Sequence, residues 1–181
     1  MITLTQEDMM SLFLKFPPPC EPLGLQETKR YLRISSELED PLMTSLISDS
    51  RVYVENITGR ALLKQGWQLQ LTPPYPPSFP LAQTHYQELS FILPKPPLLE
   101  VVSVKSKEKE VPFAQEDSKL KIASQFYGEP LLISFWAGYG ETPDSLPADL
   151  KMAVLVGVEA LYEGKKMDLS LLAPYRVLRI N

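Results

Sequence analysis

The side chains that most often do chemistry are scarce in this 181-residue chain, which has one Cys and one His. Cys20 stands in a proline-rich stretch with no neighbouring His or Lys to activate its thiol, so no nucleophilic role is predicted. His85 follows a loop and has no evident partner, so we expect a surface or packing residue. One thiol cannot form an internal disulfide, and one Cys with one His cannot supply a Cys/His-rich zinc site.

Carboxylates and glycines offer the remaining candidate sites. Glu37, Glu39 and Asp40 stand where a long helix is predicted to begin, and the helix dipole accounts for them without a metal. Glu116-Asp117 is typical of a turn rather than of a general acid and base. Gly138-Tyr139-Gly140 lacks the third Gly, or the Lys followed by Ser or Thr, that a phosphate loop needs. We therefore expect no catalytic residue, no metal and no cofactor.

The composition excludes further classes of protein. A net charge of -4 argues against binding to duplex DNA through a basic face. The basic residues at Lys105 to Lys109 alternate with glutamates, which predicts an exposed hairpin tip. No apolar run approaches the roughly 20 residues of a membrane helix, and Glu7 and Asp8 stand where a signal peptide would carry Lys or Arg. We expect a soluble protein in a reducing compartment.

The 18 prolines are clustered, and the clusters divide the chain. Pro17-Pro18-Pro19 predicts a stiff segment that ends an apolar N-terminal arm, residues 1–20. A second cluster at 73–80 cannot supply a regular ladder of backbone donors, so it predicts a surface loop. An alternative for this loop is a polyproline ligand for an aromatic groove of another protein.

Two helices are predicted before residue 60, a short one from Leu25 and a long one that Gly59 ends. Pro41 lies in the first turn of the long helix, where the missing amide costs little. Arg51 and Glu55 can pair across one turn. The apolar stripe of the long helix comprises Leu38, Leu42, Met43, Leu46, Ile47, Val54 and Ile57.

Beyond Gly59 the hydrophobic period changes to two, which predicts strands at 67–71, 89–93, 98–104, 119–123 and 131–136. A last helix is predicted from Pro147 to Gly164, with more apolar surface than one face needs. We therefore expect an α+β fold, with terminal helices packed as a helical bundle and an inserted small antiparallel sheet or barrel. The domain would span 21–181, helical at 25–59 and 147–177, with the β insertion at 63–136.

The order of several short motifs resembles the phage head-tail connector (adaptor) family of tailed phages and prophages. The first half carries Leu25 to Ile34, Glu39-Asp40, Thr58-Gly59-Arg60-Ala61-Leu62 and Gln65-Gly66-Trp67. The second half carries Pro94 to Leu98, Ala137-Gly138-Tyr139-Gly140, Pro147 to Lys151, Leu161-Tyr162-Glu163 and Leu171 to Arg176. Each motif is short, but together they cover about residues 21 to 177 in the family's order.

This resemblance implies a structural protein of the virion neck, assembled in the bacterial host cytoplasm, and not an enzyme. Members form a dodecameric ring below the portal protein, extend the DNA channel without sequence-specific binding, and receive a stopper or tail-completion protein. The hypothetical portal-docking residues are Leu171, Leu172, Tyr175, Arg176 and Arg179. The hypothetical core and ring-contact residues are Leu42, Leu46, Val54, Val154, Val158 and Leu161.

Three alternatives remain open from the sequence. The first is the same adaptor in a domesticated gene-transfer particle. The second is a binding module that offers its proline-rich loop to a host protein. The third, an enzyme with a carboxylate-only metal site, would require converging acids that the spacing does not show.

Overall fold

The computed structural model describes residues 10–74, 88–167 and 170–177, and the chain divides into two compact units. The sheet unit comprises the described parts of Met1–Pro17, Gln65–Pro94 and Leu98–Ala137. The helical unit comprises those of Pro18–Lys64, Lys95–Pro97 and Gly138–Asn181. Helices and antiparallel sheets are thus segregated, and the predicted α+β class is confirmed.

The helical unit contains α1 (Leu25–Leu32), α2 (Asp40–Thr58) and α3 (Ala148–Tyr162). Pro41 lies in the first turn of α2, and Gly59 ends that helix in the left-handed conformation with φ of 71°, both as predicted. Short 3₁₀ helices at Glu37–Glu39, Pro143–Ser145 and Ser170–Tyr175 complete the unit. None of the helices in the described ranges is both long and apolar enough to cross a membrane.

The apolar stripe of α2 is shorter than the sequence pattern predicts. Met43, Ile47 and Val54 are buried. Leu38 is 93% exposed, because the first turn at Glu37–Glu39 is a separate 3₁₀ helix that precedes α2. The core of the unit joins α2, α3 and the C-terminal 3₁₀ helix, and its buried members include Leu62, Leu146, Leu150, Ala153, Val154, Val158 and Leu172.

The sheet unit contains β1 (Met10–Phe16), β2 (Gln65–Leu71), β3 (Glu88–Ile92), β4 (Leu98–Ser106), β5 (Lys109–Glu110), β6 (Phe113–Glu116), β7 (Lys119–Ala123) and β8 (Leu131–Ala137). One antiparallel sheet has the order β1-β2-β8-β4-β5 and the other β3-β7-β6. Alternate residues of β8, from Leu131 to Ala137, are buried, as its period of two predicts. The main-chain N–H of Val101 in β4 donates to Oε1 of Gln115 in β6 at 2.9 Å, which links the two sheets.

Two elements differ from the sequence prediction. Met10–Phe16 is not part of a separate arm, because it forms an edge strand that pairs with β2 from Met10↔Leu71 to Phe16↔Gly66. The strand β6 has no buried face and therefore no period that the sequence could reveal. Neither described sheet closes on itself, so the barrel alternative does not hold. The tip at Lys107 and Glu108 between β4 and β5 is the predicted hairpin turn, with positive φ at both residues.

Candidate functional site

The predicted core and ring-contact residues fall into two groups. Val54, Val154 and Val158 are fully buried between α2 and α3, and Leu46 packs partly buried against the same core. Leu42 and Leu161 are 49% and 43% exposed. Within this set, the exposed pair and the exposed part of Leu46 can contact another molecule, whereas the three valines cannot without rearrangement of the subunit.

The helices α2 and α3 approach each other closely at Ser50 and Gly157. The hydroxyl of Ser50 donates to the main-chain oxygen of Val154 at 2.7 Å, and Ser50 is fully buried. A Cβ on Gly157 would overlap the Ser50 Oγ and would lie 3.4 Å from the Ser50 Cβ. The small residue at 157 therefore sets the distance between the two helices.

An ion-pair cluster fixes the chain on both sides of α2. Arg51 donates through Nε to Glu21 at 2.8 Å and through Nη1 to Glu55 at 3.0 Å. The second oxygen of Glu55 accepts the main-chain N–H of Leu62 at 3.0 Å. Burial lowers the pKa of Arg51, but its hydrogen bond to Glu21 and the charges of both carboxylates outweigh burial, and the pKa is raised. The cluster is structural, because each of its charges has a partner.

The predicted docking residues lie along a C-terminal segment that is fastened to the helical unit. Leu172 is fully buried in the core, so it is not available to a partner in this conformation. Tyr175 is half-buried, and its hydroxyl donates to Asp149 at 3.3 Å. Burial, and then Asp149, raise the pKa of this tyrosine. Arg176 is exposed, whereas the Leu171 side chain and Arg179 lie outside the described residues.

Arg60 holds this segment from the other side. Its Nε donates to the main-chain oxygen of Tyr175 at 2.7 Å, and its Nη1 donates to the hydroxyl of Tyr139 at 3.2 Å. The N–H of Val177 donates to the main-chain oxygen of Thr58 at 2.9 Å. No sequence pattern predicts these contacts, because the residues that they join are 79 or more positions apart.

The sheet unit carries an exposed apolar strand that the sequence analysis missed. Met10, Phe13, Leu14 and Phe16 of β1 are each close to half exposed or more. The ring of Phe16 stacks on that of Trp136, with centroids 5.5 Å apart, above the bare backbone of Gly66. An aromatic ring that covers a cross-strand glycine stabilises a sheet, so Phe16 has a packing role as well as an exposed face.

In the described parts of the chain, the side chains that could take part in catalysis or metal binding have structural partners and do not form a cluster. Cys20 is exposed, and its Sγ contacts the main-chain oxygen of Glu141 at 3.4 Å. Asp40 pairs with Lys29, and Glu39 accepts the hydroxyl of Tyr162 at 2.8 Å. Among the described residues, no three His, Cys, Asp or Glu side chains converge as a metal site would require. His85 and the prolines at 76, 77 and 80 lie outside these residues, so the proline-rich ligand stays a prediction.

Gly138 and Gly140 shape a loop rather than a phosphate cradle. The N–H of Gly138 donates to the main-chain oxygen of Pro97 at 2.9 Å, so it is occupied within the protein. A Cβ on Gly138, where φ is 126°, would overlap the main chain of Leu63. Close packing of two backbone segments thus explains this glycine.

Two tyrosines join α3 to the first part of the helical unit. The Tyr31 hydroxyl of α1 donates to Glu159 of α3 at 2.9 Å, and this hydrogen bond raises the pKa of Tyr31. The hydrogen bond from Tyr162 to Glu39 likewise raises the pKa of Tyr162. Both phenols therefore remain protonated donors across the neutral range.

Comparison with known proteins finds solved structures of similar fold but no matching sequence family. No family model matches the chain, and no curated protein matches it either. A chain in the structure "Neck of native GTA particle computed with C12 symmetry" has a TM-score of 0.72 at 19% identity, with 94% of this chain and 97% of that chain covered. The fold is shared.

Two further structures agree over the same shares of both chains. A chain in "Neck of empty GTA particle computed with C6 symmetry" has a TM-score of 0.70, and one in "Virion of native gene transfer agent (GTA) particle" has 0.71, each at 22% identity. At this level of identity the similarity shows the fold. Because it extends over nearly the whole of both chains, it includes both the helices and the sheets.

Proposed function

We propose that this chain is a structural protein of the neck of a phage-like particle, a head-tail adaptor that assembles into a ring below the portal. The observation that carries the proposal is the fold shared, over 94% of this chain, with chains in gene transfer agent particles, two of them in neck structures. The order of sequence motifs supports the same assignment independently, since it resembles the connector family. In this proposal the terminal helices form the helical bundle of that family.

The ring is proposed from symmetry and from exposed apolar surface. The neck structures that share the fold were computed with C6 and C12 symmetry, which supports a cyclic assembly of copies of this chain. Cyclic rings use two different faces of each subunit. The exposed apolar residues of α2, α3 and β1 would contribute to these faces, with Leu42 and Leu161 in place of the buried valines.

The proposed partners follow from the proposed place of the ring in the neck of the particle. The portal would lie on one side of the ring and a stopper or tail-completion protein on the other. DNA would pass through the channel without sequence-specific binding, which suits a protein with a net charge of -4. The role is one of shape and contact, with no catalytic step.

A gene-transfer particle is a second setting for the same role. It is favoured because the structures that share the fold come from gene transfer agents. The fold cannot separate the two settings, since both would use the same ring. The genes beside this one would separate them.

Gold labelling of assembled particles tests the proposal. Particles carrying an epitope-tagged copy of the chain are labelled and imaged by electron microscopy, with a tagged capsid protein as control. We expect one gold particle or cluster at the junction of head and tail. Label spread over the capsid, label at the tail tip, or full absence of the chain from purified particles would each contradict the neck assignment.

A further inference from the structure

The segment from Ser170 to Val177, here called the C-terminal strap, is fastened to the helical unit at three places. Leu172 anchors it in the core, where it is fully buried. Arg60 binds the main-chain oxygen of Tyr175, and the N–H of Val177 donates to the main-chain oxygen of Thr58 at the end of α2. The strap therefore reaches its last described residue along a defined path.

Arg60 links the C-terminal strap to the rest of the helical unit. Its planar guanidinium donates in two directions, to the carbonyl oxygen of Tyr175 at 2.7 Å and to the hydroxyl of Tyr139 at 3.2 Å. Tyr139 follows Gly138, whose N–H is held by Pro97. A lysine could reach one of these oxygens but could not hold both in a fixed plane.

Gly59 lies in contact with the strap at Val177. It has φ of 71°, and a Cβ at this position would lie only 3.5 Å from the Cβ of Val177. The strap thus crosses the end of α2 next to the residue that stops the helix. The Thr58-Gly59-Arg60 motif and the C-terminal strap are therefore in direct contact.

From this geometry we infer that Arg60 is a positioning residue, which sets the point and direction at which the C-terminal strap leaves the subunit. It follows that Leu172 and Tyr175 anchor the strap within its own subunit, and that contact with the docking partner begins at Arg176. The partner rests on the function proposed above, whereas the positioning of the strap does not.

The chemistry of the strap and the residues after it indicates the kind of surface that receives them. Residues 170–181 carry Arg176 and Arg179 and no acidic residue, in a chain with a net charge of -4. The last residues alternate between apolar and polar types, as Leu178-Arg179-Ile180-Asn181. This composition suits a protein groove with apolar pockets and acidic side chains better than it suits a phosphate backbone.

Hydrogen exchange of the isolated chain tests the positioning role without any partner. In Arg60→Ala, the amides of the C-terminal strap should exchange about tenfold faster or more, since a charged hydrogen bond has been removed. Arg60→Lys should restore part of this protection, and Tyr139→Phe should give a smaller, local increase. Exchange that is unchanged in the strap would overturn the inference, as would an equal increase throughout the helical unit.

Binding to the purified portal ring tests the docking role. Arg176→Glu should weaken binding at least tenfold while strap exchange stays at the wild-type rate, and Arg60→Ala should weaken binding and accelerate exchange together. Equal portal binding by Arg60→Ala and wild type would overturn the positioning role. Loss of duplex DNA binding in Arg176→Glu, with portal binding intact, would overturn the protein groove. A wild-type chain that ignores the portal would refute the proposed function and leave the exchange result standing.

Discussion

The close approach of α2 and α3 at Ser50 and Gly157 predicts a change in stability whose sign depends on the Ser50 Oγ. Gly157 faces Ser50, and a Cβ at 157 would overlap the Ser50 Oγ, which is held in place by its 2.7 Å hydrogen bond to Val154. The helices must then separate by on the order of 1 Å to reach ordinary van der Waals distance. Such overpacking costs about 1 to 3 kcal/mol in a close-packed core.

The higher helix propensity of alanine opposes this packing cost, and the two contributions to the free energy of unfolding have to be separated. Alanine is favoured over glycine inside a helix by about 1 kcal/mol, so Gly157→Ala gains helix propensity while it loses packing. Ser50→Ala removes the obstructing oxygen at a cost of about 1 kcal/mol for the lost hydrogen bond. In that background the new Cβ meets the Cβ at position 50 at 3.4 Å and the Sδ of Met167 at 3.3 Å. The first distance is ordinary contact, and the flexible Met167 side chain has to shift by about 0.1 Å, in the same way in both backgrounds.

The double-mutant cycle isolates the steric term, because the propensity gain is the same in both backgrounds. We expect Gly157→Ala to destabilise the wild type and to stabilise Ser50→Ala, with a coupling of about 1 to 3 kcal/mol. Urea unfolding of the four proteins, followed by circular dichroism, measures it. If Gly157→Ala has the same effect in both backgrounds, the helices are not held at the distance described here.

Three further predictions follow from burial, strand pairing and titration. Val158→Asp should unfold the subunit, since it buries an unpaired charge, whereas the matched Leu161→Asp should remain folded because Leu161 is 43% exposed; a thermal melt compares the two. Gly66→Ala should destabilise the sheet unit by about 1 to 3 kcal/mol, because the new Cβ would lie 2.6 Å from the Phe16 ring; no change in urea unfolding would mean that the ring does not rest on this glycine. The raised pKa of Tyr31 implies a stability contribution that is complete below pH 10.0 and is lost as pH rises through the raised value. Tyr31→Phe should therefore melt at a slightly lower temperature than the wild type at pH 7 and at the same temperature above that range. A constant difference at every pH would contradict the hydrogen bond from Tyr31 to Glu159 as its source.

The local elements were predictable because their signals are local. The period of two gave β2, β3, β4, β7 and β8, and Pro41 with Gly59 gave the ends of the long helix. The strand β1 was not predictable in the same way. Its run of apolar residues next to three prolines shows no clean alternation, and only its pairing with β2, some fifty positions later, makes it a strand.

The candidate site was harder to predict, because more of its contacts join residues that are far apart in the sequence. Arg51 and Glu55 are one turn apart, so their pair was predictable, but Glu21 is 30 positions away and was not. Leu172 was assigned to docking because it lies in an apolar, Arg-containing segment that follows a helix stop, and the structure instead buries it in the core. Deletion from Asp168 onward would therefore damage the core, and a truncation after Val177 is the cleaner test of docking.

The copy number of this chain on a portal ring decides whether it is a ring-forming protein of the neck. The complex of the two proteins, purified after co-expression, can be imaged by electron cryo-microscopy and its mass determined by native mass spectrometry. We expect twelve copies in one closed ring, because a chain of the same fold comes from a neck structure computed with C12 symmetry. A chain that stays monomeric beside an intact portal, or that binds it without forming a ring, would contradict the account.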